Sequence, residues 1–308
     1  MQKDFHYYVT YALAKTAGFP PEDSKIIAYS SQLVDDNNEG QFPDRGEKPQ
    51  FPSQIKINNG FYRPIMTQSL SVKSVVYEVQ NFVYVPFHFL PGDNSKPIDG
   101  GLNKYSTTPN SPNAQLLMEK ALKSQDPYRI GIAVHTYADT WSHQNFTGYE
   151  EKWNSVFSWR SPYRLFVPNI GHADVGHAPD EISVPWVDER LDKSERKINN
   201  KERALEATKN IYQKFRSAAK GATYWSNVET DFRKIINADD YDDRKEMVRA
   251  YVNEPDLRYI EDQWVDEAVN EEGGQLVGVA NFGNTHWYKF QQAAKANLAL
   301  VMNIMESL

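Results

Sequence analysis

Apolar positions recur at helical spacing near the start of the chain and predict two helices. The first covers about residues 5–17 and ends at the Gly-Phe-Pro-Pro sequence of residues 18–21. Proline and acidic residues at 21–23 open the second helix, which ends in the polar run 35–38. From there to about residue 59 the chain is rich in proline, glycine and charge, which predicts a loop.

The middle of the chain predicts the centre of the fold. Residues 69–86 combine β-branched content with partly helical spacing, so strand and helix both remain open there. A polar loop up to about residue 112 follows. Residues 114–123 and 126–143 then predict two helices, and the small and apolar residues of the second suggest a central position. The chain is irregular from about residue 148 to residue 186.

In the last part of the chain, residues 192–308, the pattern predicts mostly charged amphipathic helix, with a final helix over 287–305. No internal repeat and no Gly/Ser linker marks a boundary. We therefore expect an all-α fold in one mostly helical domain over residues 1–308. A C-terminal helical subdomain over 188–308 is the alternative division.

Composition narrows the functional classes. Hydrophobic residues make up 40% of the chain and aromatic residues 13%, which is typical of a folded globular protein. The net charge of -7 argues against a large nucleic-acid footprint, although a short nucleotide or other small phosphoester would still fit. No stretch approaches the roughly 18 apolar residues of a membrane-spanning helix, so we expect no transmembrane segment and a cytoplasmic location.

Histidine is the conspicuous residue type. The chain has no cysteine, which leaves histidine, aspartate and glutamate as its strong metal ligands. Six of the seven histidines lie within the first 177 residues, each with a carboxylate nearby. Imidazole nitrogens and carboxylate oxygens together suit zinc, and several such groups suit a site with more than one ion.

The strongest motif is the run His135, Asp139 and His143. A spacing of four places these side chains one above another on the same helix face, so they reach a common region, and Asp139 can bridge two ions. Their neighbours are small or apolar, so burying these three polar side chains without a metal ion or a hydrogen-bond partner would cost several kcal/mol. The alternative is a hydrogen-bonded histidine–aspartate pair within the core.

Further candidates lie on both sides of this run. A segment that contains two glycines carries the candidate ligands His172, His177 and Glu181. The alternative interpretation is a loop whose histidines face solvent. Asp35 and Asp36 end the second predicted helix and are alternatives to each other. His88 and His6 are candidate ligands or ordinary core histidines, whereas His286 is assigned to the surface or to packing.

In this order, the histidines and aspartates resemble the zinc-dependent phospholipase C / S1-P1 nuclease superfamily. The matching positions are His6, then Asp35 or Asp36, His88 in Phe-His-Phe-Leu-Pro-Gly-Asp, His135 and Asp139, His143, and finally Gly-His177 with Glu181 or Gly-His172. The resemblance spans about residues 6–181. It implies a mainly helical fold with a zinc cluster that hydrolyses phosphoesters.

The chain departs from this pattern at its start. Members of that superfamily commonly use the N-terminal residue as a ligand, through its amine and carbonyl, whereas here Met1 stands five residues before His6. Asp4 is a possible substitute ligand.

These observations predict a metal-dependent hydrolase, most simply of a phosphoester, with two or three zinc ions. The candidate ligands are His6, Asp35, Asp36, His88, His135, Asp139, His143, His172, His177 and Glu181, and the candidate catalytic carboxylates are Asp139 and Asp36. A small phosphoester or phospholipid-like molecule is the expected substrate. The alternatives are an HD-type phosphohydrolase, whose adjacent His-Asp pair is absent from the sequence, and a non-catalytic helical protein held together by its ions.

Overall fold

A computed structural model describes residues 1–38, 54–69, 77–92, 98, 101–156 and 168–308. Its helices are α1 (Thr10–Ala17), α2 (Pro21–Asp36), α3 (Tyr77–Val79), α4 (Val85–Phe87), α5 (Pro112–Ser124), α6 (Pro127–Ser142), α7 (Asn200–Ala219), α8 (Trp225–Ile236), α9 (Tyr241–Val252), α10 (Gln263–Asp266) and α11 (His286–Met305). A π-helical segment, Asp4–Val9, leads into α1, and a second, Gln80–Tyr84, joins α3 to α4.

Two sheets accompany the helices. Strands β1 (Ile55–Ile57), β2 (Gly60–Tyr62), β5 (Val269–Glu272) and β6 (Gln275–Gly278) form a four-stranded sheet in the order β2-β1-β6-β5. Within it β1 runs parallel to β6, and both outer pairs are antiparallel. Strands β3 (Trp186–Val187) and β4 (Lys197–Ile198) form a separate antiparallel pair.

The all-α expectation is therefore wrong, because the protein mixes helix and sheet. Strands of two to four residues offer too few positions for a period-two pattern to stand out. The Gly273-Gly274 pair is a hairpin signal in the sequence, although the charged residues around it predict amphipathic helix. Both glycines have positive φ and form the two-residue turn between β5 and β6, where left-handed backbone is required.

Most of the other predicted helices are present in the structure. In the region left open between strand and helix, residues 77–87 are helical, while residues 70–76 lie outside the described part of the chain. Most of the predicted loop between residues 39 and 59 also lies outside it, and β1 occupies residues 55–57.

Helix α6 lies at the centre of the main core. It contacts α2, α5, α7 and α11, and every residue from Ile130 to His143 is buried. Its first turn is fixed by Asp126, whose side chain accepts hydrogen bonds from the backbone N–H groups of Tyr128 and Arg129. The same apolar cluster includes residues from both sides of position 188, such as Ile132 and Phe215.

One glycine allows α6 to approach α2 closely. A Cβ atom at Gly131 would lie 2.4 Å from the carbonyl oxygen of Ile27 and 2.5 Å from the Cβ atom of Ser30. No side chain larger than hydrogen fits there unless one helix moves. This contact brings the next turn of α6, which carries His135, against the last turns of α2.

Among the residues that the structure describes, no helix combines the length and the apolar character needed to cross a lipid bilayer.

Candidate metal centre

Five histidines and three aspartates from separate elements converge beside α6. His135 and Asp139 project from one face of α6, one turn apart, and His143 directly follows the helix. The remaining residues come from the first π-helical segment, the last turn of α2, the end of α4, and the segment after Gly171; they are His6, Asp35, His88, His172 and Asp180.

The first group consists of His88, His135 and Asp139. The Nε2 atom of His135 lies 3.1 Å from Oδ2 of Asp139 and 3.2 Å from Nδ1 of His88, and that Nδ1 atom lies 3.3 Å from the same Oδ2. The Oδ1 atom of Asp35 stands 3.7 Å from the His135 nitrogen and 3.8 Å from the His88 nitrogen. A tetrahedral zinc ion with bonds of about 2.0–2.1 Å holds its ligand atoms about 3.3 Å apart, so these separations fit one.

The second group consists of His143, His172 and Asp180. Nε2 of His143 lies 2.9 Å from Oδ1 of Asp180, and Nε2 of His172 lies 3.2 Å from Oδ2 of the same carboxylate. The two imidazole rings face each other with centroids 4.7 Å apart. Three ligand atoms from three residues therefore surround one point.

The third group, His6, Asp35 and His135, shares His135 with the first group. A ring nitrogen has a single lone pair, so His135 can serve only one of these two groups at a time. The rings of His6 and His135 are stacked with centroids 3.9 Å apart, and Nε2 of His6 lies 3.2 Å from Oδ1 of Asp139. The two oxygens of Asp139 thus face different histidines.

In four of the five imidazole rings, the nitrogen that faces away from the group is hydrogen-bonded to a backbone carbonyl. Nδ1 of His135 donates to the carbonyl of Ser31 at 2.8 Å, and Nε2 of His88 donates to the carbonyl of Thr67 at 2.9 Å. Likewise His143 donates to the carbonyl of His88 at 2.8 Å, and His172 to that of Gly176 at 2.7 Å. Because a carbonyl oxygen only accepts, each of these bonds places an N–H on the nitrogen that faces away from the group, and in the neutral ring the inward nitrogen then carries a lone pair.

The nitrogens that face inward therefore present lone pairs to one another and to carboxylate oxygens. In the first group, His135 Nε2 and His88 Nδ1 are both acceptors, and Asp139 Oδ2 is a third. Acceptors at such distances repel one another unless a cation lies between them. The donor set and its spacing fit a zinc ion in each of the first two groups.

Burial and neighbouring charge determine the protonation of the histidines and aspartates. Burial, followed by the positive charge of the Met1 α-amino group, lowers the pKa of His6 to about 4, and burial holds the pKa of His135 well below its usual value. Burial and the charge of Asp139 raise the pKa of Asp35 well above its usual value. For Asp139, burial opposes ionisation, but His143 and the α-amino group hold its pKa well below the usual range.

The α-amino group of Met1 also lies in this region. Its nitrogen stands 2.6 Å from Oδ1 of Asp139, 3.0 Å from Oδ1 of Asp180 and 3.2 Å from the hydroxyl oxygen of Ser142. Burial alone would lower the pKa of the amine, but Asp139, Asp180 and Asp35 raise it to about 11. The space between these carboxylates therefore suits a positive charge.

Three candidates from the sequence lie outside the three groups. Asp36 accepts a hydrogen bond from Gln32 at 3.0 Å instead of facing the histidines. His177 is exposed and lines the cavity described below. Glu181 forms its described hydrogen bonds through its backbone: its N–H donates to the carbonyl of His177 at 3.2 Å, and its carbonyl accepts from Asn200 at 2.9 Å.

Asp180 is a site residue that the sequence reasoning did not select. It lies eight positions after His172 in an irregular segment, where no periodicity relates the two side chains. Gly176, between them, has φ 58° and ψ -134°, a backbone conformation open chiefly to glycine. This turn presents the Gly176 carbonyl to His172. Gly176 was therefore the one feature of the sequence that could have indicated a turn at this point.

Asp4, considered as a substitute ligand, pairs with a different group. Its carboxylate forms a buried ion pair with the guanidinium of Arg244 and accepts the backbone N–H of Phe5 at 2.9 Å. It therefore points away from the histidines. His286, which the sequence assigns to the surface or to packing, is hydrogen-bonded through Nδ1 to the hydroxyl of Tyr128 at 2.7 Å. Its ring stacks on that of Trp264.

A cavity of about 710 Å³ opens onto the candidate metal ligands. Its wall includes members of the first and second groups together with apolar and aromatic side chains such as Tyr84, Phe89 and Ile170. The site is therefore accessible to a molecule larger than water.

Neither a curated protein nor a solved structure gives a significant match to this sequence. One family model matches residues 1–305, nearly the whole chain, and the candidate metal ligands lie inside that range. The chain belongs to the family of unknown function DUF6765.

Proposed function

We propose that this protein is a zinc-dependent hydrolase that cleaves a phosphoester. The observation that carries the proposal is the convergence of imidazole nitrogens and carboxylate oxygens, in which four of the five imidazoles donate their outward N–H group to a backbone carbonyl. Such outer hydrogen bonds orient histidines as metal ligands and are typical of zinc sites.

The two groups would hold their ions in different ways. In the first group, His88, His135 and Asp139 with Asp35 nearby offer four protein ligands, enough to fill a tetrahedral site. In the second group, His143, His172 and Asp180 offer three, which leaves a fourth position open toward the cavity. An open position is the usual mark of a catalytic zinc site.

Asp139 would connect neighbouring ions. Its Oδ2 atom faces His88 and His135, while its Oδ1 atom faces His6 at 3.2 Å. A third ion would accordingly lie between His6 and Oδ1 of Asp139. This arrangement supports a centre of two or three ions rather than a single one.

A phosphoester is the substrate class that such a centre favours. Bound zinc ions lower the pKa of a water ligand toward neutrality and neutralise charge on phosphoryl oxygens. Asp139, which is buried, and Asp180, whose side chain is 13% exposed, would fix the positions of these positive charges, and the apolar wall formed by Phe89 and Ile170 would limit access of water to the reacting group. The same wall would accept the hydrophobic part of a phospholipid-like substrate. The resemblance of the histidine order to zinc-dependent phospholipase C and S1-P1 nucleases supports the same class.

The filled coordination of the first group favours one rival, a non-catalytic protein whose ions only hold helices together. That rival predicts tight zinc binding without turnover. An HD-type phosphohydrolase is less well supported, because the first group joins His135 to an aspartate four residues later rather than to an adjacent one.

Hydrolysis of bis(p-nitrophenyl) phosphate tests the proposal. We expect protein stripped with a chelator to be inactive and to regain activity when zinc is restored. A His135→Ala variant should stay inactive, whereas the matched His286→Ala variant, altered outside the centre, should behave like the parent protein. Activity that is indifferent to metal would refute the proposal, and zinc binding without turnover of any phosphoester would favour the structural rival.

A further inference from the structure

Arg244 is a buried cation that touches no member of the three groups. It lies on α9 with a side chain 1% exposed, and its Nη1 atom donates to the carboxylate of Asp4, which is 2% exposed. Burying a charged pair is costly and often gives little net stability, so its retention calls for another explanation. The contacts of the guanidinium supply one.

The guanidinium joins two segments that carry metal-binding residues. Through Nη1 it holds Asp4, which stands between Met1 and His6 in the N-terminal π-helical segment. Through Nη2 it donates at 3.0 Å to the hydroxyl of Ser183, three residues after Asp180.

Further hydrogen bonds anchor this junction to the C-terminal helices. Nη2 also donates to the carbonyls of Ile236 at 3.2 Å and Ala238 at 3.3 Å, and Nη1 donates to that of Asp240 at 3.3 Å. The hydroxyl of Ser183 donates in turn to the Ala238 carbonyl at 3.2 Å. The guanidinium is thus held at a fixed position between α8 and α9.

The two segments that Arg244 joins meet at the centre itself. The α-amino nitrogen of Met1, in the first segment, lies 3.0 Å from Oδ1 of Asp180, in the second. Asp180 belongs to the second group, and His6 lies beside Oδ1 of Asp139. The relative position of His6 and Asp180 therefore depends on what holds their segments together.

We infer that Arg244 is a positioning residue of the metal centre, which sets the N-terminal segment against the segment of Asp180. This inference rests on the proposed zinc centre but concerns only how two of its parts are aligned. Helix α6 and its partners α2 and α4 position the first group, and the described hydrogen bonds of the Arg244 guanidinium go to other parts of the chain. Loss of Arg244 should therefore weaken the second group and the His6 position selectively.

The test is the zinc occupancy of each group in variants at the ion pair, measured by anomalous scattering and by metal analysis after dialysis. We expect Arg244→Met to lower zinc affinity about 10- to 100-fold at the second group and at His6, as loss of an outer hydrogen bond commonly does, while the first group keeps its ion. Arg244→Lys, which keeps the charge without the forked geometry, should bind zinc more weakly than the parent and more strongly than Arg244→Met.

Two further variants keep the inference falsifiable. Asp4→Asn, which has nearly the same shape as the parent residue, should show the same selective loss even if Arg244→Met does not fold. Arg233→Met removes an exposed arginine of the neighbouring helix α8 whose side chain donates to Glu229 at 3.0 Å, and it should retain full occupancy. Equal loss at all groups, or no loss in either ion-pair variant, would overturn the inference. A parent protein that holds no zinc would instead overturn the proposed function on which it depends.

Discussion

Nε2 of His135 lies 3.1 Å from Oδ2 of Asp139, one turn further along α6, while Nδ1 of the same imidazole donates to the carbonyl of Ser31 on α2. The carbonyl fixes the proton on Nδ1, so the contact with Asp139 joins two acceptors. A histidine–aspartate pair that is satisfied on its own would place a proton between these atoms. The arrangement instead calls for a cation, and the following expectations rest on it.

Asp35 and Asp36 provide a matched pair of adjacent carboxylates. Asp35 Oδ1 approaches His88 and His135, whereas Asp36 binds Gln32. We expect Asp35→Asn to weaken zinc binding at the first group by about tenfold or more and Asp36→Asn to leave it nearly unchanged, because only the first removes a negative ligand. Calorimetric titration of stripped protein with zinc gives both affinities, and equal effects of the two substitutions would contradict this assignment.

Asp180 and Glu181 provide a second such pair. Asp180 contacts both histidines of the second group, and Glu181 is not part of it. We expect Asp180→Asn to abolish hydrolysis and to remove about one zinc ion per chain, since the group would keep only two ligands. Glu181→Gln should retain both properties, and a loss of zinc from that variant would show that the late carboxylate was misassigned.

The close contact at Gly131 should matter for both stability and metal binding. Gly131→Ala forces a methyl group against Ile27 and Ser30, which we expect to cost about 1–3 kcal/mol of unfolding free energy. It should also weaken the first group, because His135 and Asp35 come from the two helices that would separate. Gly283→Ala, where no atom lies within 4 Å of the added methyl, is the control in a urea-unfolding series. If both substitutions have the same small effect, α6 and α2 are not held by this contact.

Zinc should stabilise the folded chain. The candidate ligands come from distant parts of the sequence and assemble only on folding, so we expect zinc to bind the native state in preference to the unfolded one. At free zinc 100-fold above its dissociation constant, one site adds about 2.7 kcal/mol to the unfolding free energy. Thermal unfolding with zinc and with chelator measures this difference, and a His135→Ala, His172→Ala double variant should lose most of it. Identical melting temperatures in zinc and in chelator would argue against a native metal centre.

The part of the site on α6 could be predicted from sequence because its geometry is local. Residues four apart on one helix lie one turn apart, so His135 and Asp139 share a face whatever the rest of the chain does. The choice between Asp35 and Asp36 could not be made in this way. Adjacent residues on a helix point about 100° apart, and which of them faces α6 depends on how α2 packs.

The late part of the site depends on tertiary contacts, and Gly176 was the one signal for it that we found in the sequence. His172 points inward because the turn at Gly176 supplies a backbone carbonyl that accepts from its Nδ1 atom. Asp180 points inward because a residue from another element holds its segment in place. Asn200 fixes it by donating to the carbonyls of Ala178 and Glu181. In the four-stranded sheet, the pairing of β1 with β6 could not be predicted from a local pattern, because it joins strands more than 200 residues apart in the sequence.

The most direct test of the metal centre is to locate the ions in protein purified without added metal, by elemental analysis and anomalous scattering at the zinc edge. We expect two or three ions per chain, with one peak among His88, His135 and Asp139 and another among His143, His172 and Asp180. Protein that carries no metal as purified and shows no anomalous peak at these residues after soaking in zinc would contradict it.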